Sequence, residues 1–276
     1  MPSLSPQVVK SNHIINASYR LSLMEQRILL VCISKIPRDQ EITDEVMYQV
    51  SASEMSELCG MDIKTAYRDL ADAADRLYER SVTIYKEPDG RVRPLKVQRT
   101  RWVQTVAYVE SEGHIELRFG RDMIPFINRL SEQFTRYALS DVAKMKSIYS
   151  IRVYELIAQW KNSKNEFEIG LDELKNLLDI GDKYRVFANF KARVLETAVK
   201  EINQYTSFDV SYEPKKKVRK IVGIKFKFKE KAALKARGKT KSKSLTKGQA
   251  EKLARPGESY AELYARLEKN GYQISH

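Results

Sequence analysis

The residues best placed to do chemistry are basic, and the chemistry they suit is recognition of a polyanion. Two clusters stand out near the C-terminal end of the chain. A helical stretch from Phe190 to Tyr205 opens with Lys191 and Arg193 and carries Lys200 further along, with Lys183 and Arg185 just before it. A lysine-rich turn follows, formed by Lys215, Lys216 and Lys217 with Arg219 and Lys220. Arginine and lysine donate to guanine O6 and N7 in the major groove, and such contacts read sequence. Lysines on a hairpin instead meet phosphates, which fixes register without reading bases.

Catalytic constellations are missing from the sequence. His13, His114 and His276 are scattered, with no paired histidines for a metal and no glycine-rich phosphate loop. A nicking enzyme needs such a histidine pair beside a tyrosine. The 15 tyrosines are present, but the pair is not. Acidic pairs such as Asp172-Glu173 fall in the first turn of a helix, where the helix dipole favours them. Cys32 and Cys59 lie in apolar surroundings with 26 residues between them, and read as two buried thiols, not a disulfide or a zinc site. The chain is therefore expected to be neither an enzyme nor a metal or cofactor protein.

Charge distribution sharpens the expectation. The 276 residues carry a net charge of +13. Between Lys215 and Lys247 lie 15 Lys/Arg and a single acid, Glu230, so the rest of the chain is close to neutral. A basic tail alone indicates an anionic partner, not a fold. The longest apolar run, Ile28 to Ile33, is far too short to span a bilayer, and the first residues lack the apolar core of a signal peptide. A cytoplasmic protein without membrane contact is the expectation.

The elements that must position these residues can be traced by periodicity. Leu21 to Ile36 reads as a helix, with Ser22 and Glu25 forming a capping box and Pro37 beyond its end. Met47 to Val50 reads as a strand. A helix from Ser51 or Ser53 to Leu58 ends at Gly60, and Asp62 caps a longer one whose apolar residues Ile63, Ala66, Leu70, Ala73, Ala74 and Leu77 step by three and four. Strands at Val82 to Lys86, Leu95 to Val109 and Ile115 to Phe119 follow, with a turn at Pro88-Asp89-Gly90. Helix, strand, helix, turn, helix and hairpin is the order of a winged helix.

The same order recurs. Ala138 to Trp160 is expected as one long helix, Phe167 to Ile169 as a strand, and Leu171 to Leu178 as a helix with Gly181 near its end. Phe190 to Tyr205 follows with Asn189 as N-cap. Phe208 to Tyr212 then turns through Pro214 to Lys217 and returns as Val222 to Phe228, with Ile224, Phe226 and Phe228 on one face and Lys225, Lys227 and Lys229 on the other. An offset of about 119 carries Tyr48 to Phe167, Val50 to Ile169, Glu54 to Glu173, Met55 to Leu174 and Leu58 to Leu177. The expected class is α+β, with two tandem winged-helix domains at 1–130 and 131–231. A disordered basic tail at 232–276 is expected to end in an amphipathic segment at Glu258 to Lys269.

The two recognition-helix candidates differ in charge. Asp62 to Arg80 is slightly acidic, with Asp69, Asp72 and Asp75 on its polar face, whereas Asp182 to Tyr205 is basic. The second is therefore expected to make the principal DNA contacts, and Lys64, Tyr67 and Arg68 of the first to make auxiliary ones. On a helical wheel Lys191 falls beside Phe190 and Val194, so it reaches DNA only if the first turn projects beyond the packing.

Taken together, VVKSNHIINASYRLSLMEQRILL, FTRY (Phe134 to Tyr137), YSIRVYELIAQW (Tyr149 to Trp160), NFKARVLETAVKEINQYT (Asn189 to Thr206) and SYEPKKKVRKIVGIKFKF (Ser211 to Phe228) resemble the iteron-binding plasmid replication initiators. The resemblance covers roughly residues 8–231. It implies two winged-helix domains on the direct repeats of an origin, the second making the main base contacts. It also implies monomers that open the origin, dimers joined through the first domain that repress their own gene, and host initiator and helicase proteins as partners. The chain departs from the resemblance at Lys191-Ala192-Arg193, where members often carry a run of arginines. A transcriptional regulator on the same fold is the alternative.

Overall fold

The computed structural model describes residues 6–38, 40–85, 97–128, 130, 133–231, 243–246, 263–264, 266–267 and 272–275. Contacts divide the chain into a unit from Met1 to Lys229 and a second from Glu230 to His276.

The first unit opens with β1 (Gln7–Ser11), α1 (Asn12–Ile15) and β2 (Ser18–Tyr19). Helix α2 (Leu23–Ser34) has the expected capping box: the Ser22 hydroxyl accepts from the Glu25 N–H, and the Glu25 carboxylate accepts from the Ser22 N–H. It is two residues shorter at each end than periodicity suggests. β3 (Tyr48–Ser51) leads into α3 (Ala52–Cys59), closed by Gly60 at φ 64°, where glycine avoids the Cβ penalty. The Asp62 side chain caps α4 (Ile63–Tyr78), whose Ala66, Leu70, Ala73, Ala74 and Leu77 are buried as the spacing requires. Ile63, which shares their spacing in the sequence, is exposed.

Two hairpins follow. β4 (Ser81–Ile84) and β5 (Gln98–Arg101) join β2 in one sheet, while β6 (Val103–Val109) and β7 (His114–Phe119) complete the order β3-β7-β6. The wing that closes on β3 is thus β6–β7. The turn at Pro88-Asp89-Gly90 lies outside the described residues. After a 3-10 turn at Arg121–Met123 and α5 (Ile124–Ile127), β8 (Phe134–Ala138) pairs antiparallel with β1, Val9 opposite Arg136.

The single long helix expected from Ala138 to Trp160 is instead the end of β8, then α6 (Leu139–Ala143) and α7 (Ile148–Ala158). The break has tertiary partners. Arg27 Nη2 donates to the Met145 carbonyl at 2.9 Å, and the Glu201 carboxylate accepts from the N–H groups of Lys146 and Ser147 at 3.0 and 3.2 Å. Groups that a continuous helix would have paired internally are satisfied from outside it.

The second repeat comprises β9 (Glu166–Gly170), α8 (Leu171–Leu177), α9 (Phe187–Phe190), a π-helical turn (Lys191–Glu196), α10 (Thr197–Tyr205), β10 (Phe208–Lys217) and β11 (Lys220–Glu230). Its sheet order is β10-β11-β9. The 119-residue offset is visible in the pairing: Tyr48 and Val50 of β3 face Leu117 and Ile115, just as Phe167 and Ile169 of β9 face Phe226 and Ile224. Phe226 is fully buried and stacks on Phe167 with centroids 5.2 Å apart.

Beyond Lys229, β12 (Lys243–Thr246) pairs in parallel with β13 (Tyr272–Ser275). Leu263, Tyr264, Arg266 and Leu267 are helical, with both leucines buried. The helical residues fall within the amphipathic segment expected at Glu258 to Lys269, and most of 232–262 lies outside the described residues. No helix among the described residues is long and apolar enough to cross a membrane.

Candidate nucleic-acid interface

The helix that carries Lys191 and Arg193 starts three residues earlier than its sequence suggests. Val186 is its N-cap, without a side-chain hydrogen bond, and Phe187 is its first residue. Asn189, expected as the N-cap, is therefore an exposed residue inside the helix. Lys191 and Arg193 lie not in its first turn but in the π-helical turn that follows. Phe190, Val194, Leu195, Ala198 and Ile202 form the buried face.

The π-turn resolves the position of Lys191. Its side chain is about half exposed, and its Nζ lies 3.3 Å from Glu196 Oε1, five residues on. The Thr197 hydroxyl likewise donates to the Ala192 carbonyl, five residues back, at 3.2 Å. A wide turn of this kind lets residues five apart meet. Lys191 is kept out of the core, yet its charge is already matched. Arg193 and Lys200 are exposed, and neither has an ion-pair partner among the described residues.

Ahead of the helix, Asp179, Gly181 and Tyr184 adopt positive φ (46°, 57° and 56°), giving a longer turn than the Gly60–Asp62 connection in the first repeat. Lys183 and Arg185 sit exposed on it. Arg185 lies 3.6 Å from Asp182, both largely in solvent, a geometry worth little.

The hairpin differs from expectation in the place of its turn. Pro214 to Lys217 continue β10, and the chain reverses at Val218–Arg219. Pro214 is tolerated because β10 is an edge strand. Val218 is 92% exposed with φ 58°, a conformation β-branched residues rarely adopt.

Charge along this wing is graded. At its base Lys225 pairs with Glu166 at 2.5 Å, Lys227 with Glu213 at 2.5 Å and Lys229 with Asp209 at 3.3 Å. The hydrogen bond from Lys227 holds the Glu213 carboxyl below the usual range. Lys215 lies 3.7 Å from Glu168. Lys216, Lys217, Arg219 and Lys220 at the tip are exposed and have no ion pair among the described residues. Lys191, Lys200 and Lys216 line one shallow groove between helix and wing. Of these, Lys200 and Lys216 have no ion pair among the described residues.

The first repeat presents a different face. Lys64, Tyr67 and Arg68 are exposed on α4, but Arg68 pairs with neighbouring Asp69 at 2.9 Å. The Tyr67 ring lies over Gly113 so closely that a Cβ there would fall 1.9 Å from Cε1. The adjoining wing tip carries Glu110 and Glu112. Arg76 and Arg80 are turned inward onto Glu25, which is fully buried, at 3.2 and 2.8 Å.

Among the described residues no cluster of histidine, cysteine or acidic side chains could hold a metal. Cys32 and Cys59 are buried thiols, pushed up by burial. His276 lies outside the described residues.

A strand, two helices and a hairpin, present twice with matching strand register, define a protein of two winged-helix domains. Models of the replication initiator family match it in both parts: WH1 over residues 7–158 and WH2 over 170–228. The chain belongs to this family of initiator replication proteins. It is 27% identical over 210 residues to a replication initiation protein of Escherichia coli, covering 72% of this chain and 63% of that protein, so the match spans less than two thirds of the relative. It is 26% identical over 245 residues to the PI protein of Escherichia coli, covering 79% and 80% of the two chains. A solved structure of the Pi initiator protein in complex with iteron DNA shares the fold, with TM-score 0.68 and 24% identity over 83% of this chain and 98% of that one.

Proposed function

We propose that this protein initiates plasmid replication by binding direct repeats at an origin as double-stranded DNA. The second winged-helix domain is the principal reader and the first an auxiliary contact. The observation that carries this reading is the groove between helix and wing lined by Lys200 and Lys216, with exposed Arg193 on the same helix and exposed Lys217, Arg219 and Lys220 at the wing tip, in a chain of the initiator family. Arg193 and its neighbours are assigned to base edges; the wing lysines, with Lys183 and Arg185, are assigned to phosphates. Lys64, Tyr67 and Arg68 are assigned to the auxiliary contact, of which Lys64 has no ion-pair partner among the described residues. The protein acts by binding rather than catalysis, in the cytoplasm. A monomer–dimer equilibrium through the first domain underlies repression of its own gene, and host initiator and helicase proteins are its partners.

The test is competition binding of the full chain to the direct repeats beside its own gene and to a shuffled duplex at physiological salt. A preference of about 10³ or more is expected. Equal binding to both, or preference for a single palindrome over tandem repeats, overturns the reading.

A further inference from the structure

Because the helix begins at Phe187, Ala188 and Asn189, which the sequence places at or before the cap, join Ala192 and Arg193 on its exposed surface. Ala188, Asn189, Ala192 and Arg193 form the stripe opposite Phe190, Val194 and Ile202. Two of the four are alanines, too short to hydrogen-bond a base and small enough to let the backbone approach the groove floor. The other two have reach. Asn189 is exposed, and its side-chain amide makes no hydrogen bond among the described residues. Its counterpart later in the helix shows how differently an asparagine can be used: Asn203 accepts from the Val210 N–H at 2.6 Å and donates to the Val210 carbonyl at 2.9 Å. Lys191 is held by Glu196 on the flank.

We propose that Asn189 is a specificity-determining residue that reads one adenine in the major groove beside a guanine read by Arg193. The inference rests on the reading that this helix enters the major groove. An asparagine amide matches adenine alone among the bases there, donating to N7 and accepting from N6, while arginine matches guanine O6 and N7. Asn189 and Arg193 are four residues apart, roughly 6 Å along the axis at about 1.5 Å per residue. The duplex rises about 3.4 Å per base pair, so the two reads fall within about two base pairs of each other.

The experiment is selection of binding sites from a randomised duplex pool of about three helical turns, roughly 30 bp, by the full-length wild type, N189A, N189Q and R193A. The wild type should enrich a motif with a fixed adenine within two positions of a fixed guanine. N189A should lose the adenine and keep the guanine, R193A should do the reverse, and N189Q should retain adenine preference. On the enriched duplex, placing 7-deazaadenine at that position should weaken wild-type binding about 5- to 150-fold and leave N189A unchanged. If the wild type enriches no motif, the DNA-reading function itself fails and this assignment with it. If the wild type enriches a motif that N189A reproduces in full, the function stands and the Asn189 assignment is wrong.

Discussion

Replacing Glu155 by alanine should be among the most destabilising single changes in the protein. The Glu155 side chain is fully buried in α7, and its Oε1 pairs with Lys10 Nζ of β1 at 2.5 Å and accepts from the Tyr137 hydroxyl of β8 at 2.5 Å. Arg152 Nη1 lies 3.6 Å from Oε2. Burial, reinforced by Glu155, raises Tyr137 well above its ordinary range, so the hydroxyl stays protonated and donates. Lys10 and Arg152 are 2% and 4% exposed, so neither charge reaches water once the carboxylate is gone. Arg152 also donates to Tyr19 and to the carbonyls of Ala17 at 2.7 Å and Leu177 at 3.1 Å, tying α7 to β2 and to α8. Breaking a buried pair from one side costs about 3–5 kcal/mol because the partner is stranded, about a fifth or more of the roughly 5–15 kcal/mol that domains possess. Urea unfolding at neutral pH measures this as a fall in midpoint at constant m. The double variant K10M/E155Q removes the stranded lysine and keeps an acceptor for Tyr137. It should recover part of the loss but not all of it, because Arg152 stays buried without its carboxylate. A loss below about 1 kcal/mol for E155A, or a double variant as unstable as the sum of the singles, would refute the reasoning.

Other outcomes follow from the same structure. Burial pushes the Glu25 carboxyl up, but hydrogen bonds from Arg80, the Ser22 N–H and Arg76 outweigh it, and its pKa is lowered. A lowered carboxyl contributes stability above its unfolded pKa, about 4.3, and loses it as pH falls through the folded value. E25Q should therefore be less stable than wild type at neutral pH, with the difference shrinking below about pH 4.3; a difference that is constant with pH contradicts this. Val218→Gly relieves about 1–2 kcal/mol of left-handed strain against about 0.5–1 kcal/mol of added chain entropy. It should raise the Tm slightly; a clear drop would show that the tip is not strained. Gly113→Ala should instead displace the Tyr67 ring and lower the Tm, and an unchanged Tm would show that the ring moves freely.

Much of this fold is legible in the chain itself because its signals are local. The three-and-four spacing of Ala66, Leu70, Ala73 and Leu77, the Ser22–Glu25 box and the Asp62 cap all act within a few turns of helix. The 119-residue offset survives because equivalent residues fill equivalent places in two sheets. Misplaced boundaries trace to partners far away in sequence. The break between α6 and α7 is satisfied by Arg27 and Glu201, and β8 finds its strand partner more than 120 residues earlier in β1. Proline signals turns, which places the wing turn at Pro214 in the sequence; an edge strand accepts proline, and the chain reverses at a valine instead. At the interface the basic residue types are visible, but net charge cannot separate the paired lysines 225, 227 and 229 from the unpaired tip. Asn189 has the residue type of a cap, and the earlier helix start at Phe187 carries no capping side chain to betray it.

The central claim, that the second domain reads sequence with its helix and holds phosphates with its wing tip, is tested most directly by one salt titration. Wild type, R193A and K216A/K217A/K220A are titrated against the direct-repeat duplex and its shuffled copy from about 50 to 200 mM salt, where several phosphate contacts cost orders of magnitude in affinity. R193A should narrow the gap between the two DNAs and leave the salt slope nearly unchanged. The triple variant should reduce the slope by about 0.9 for each phosphate it no longer neutralises and leave the gap in place. A gap that survives R193A intact, or a slope indifferent to all three lysines, would contradict the account.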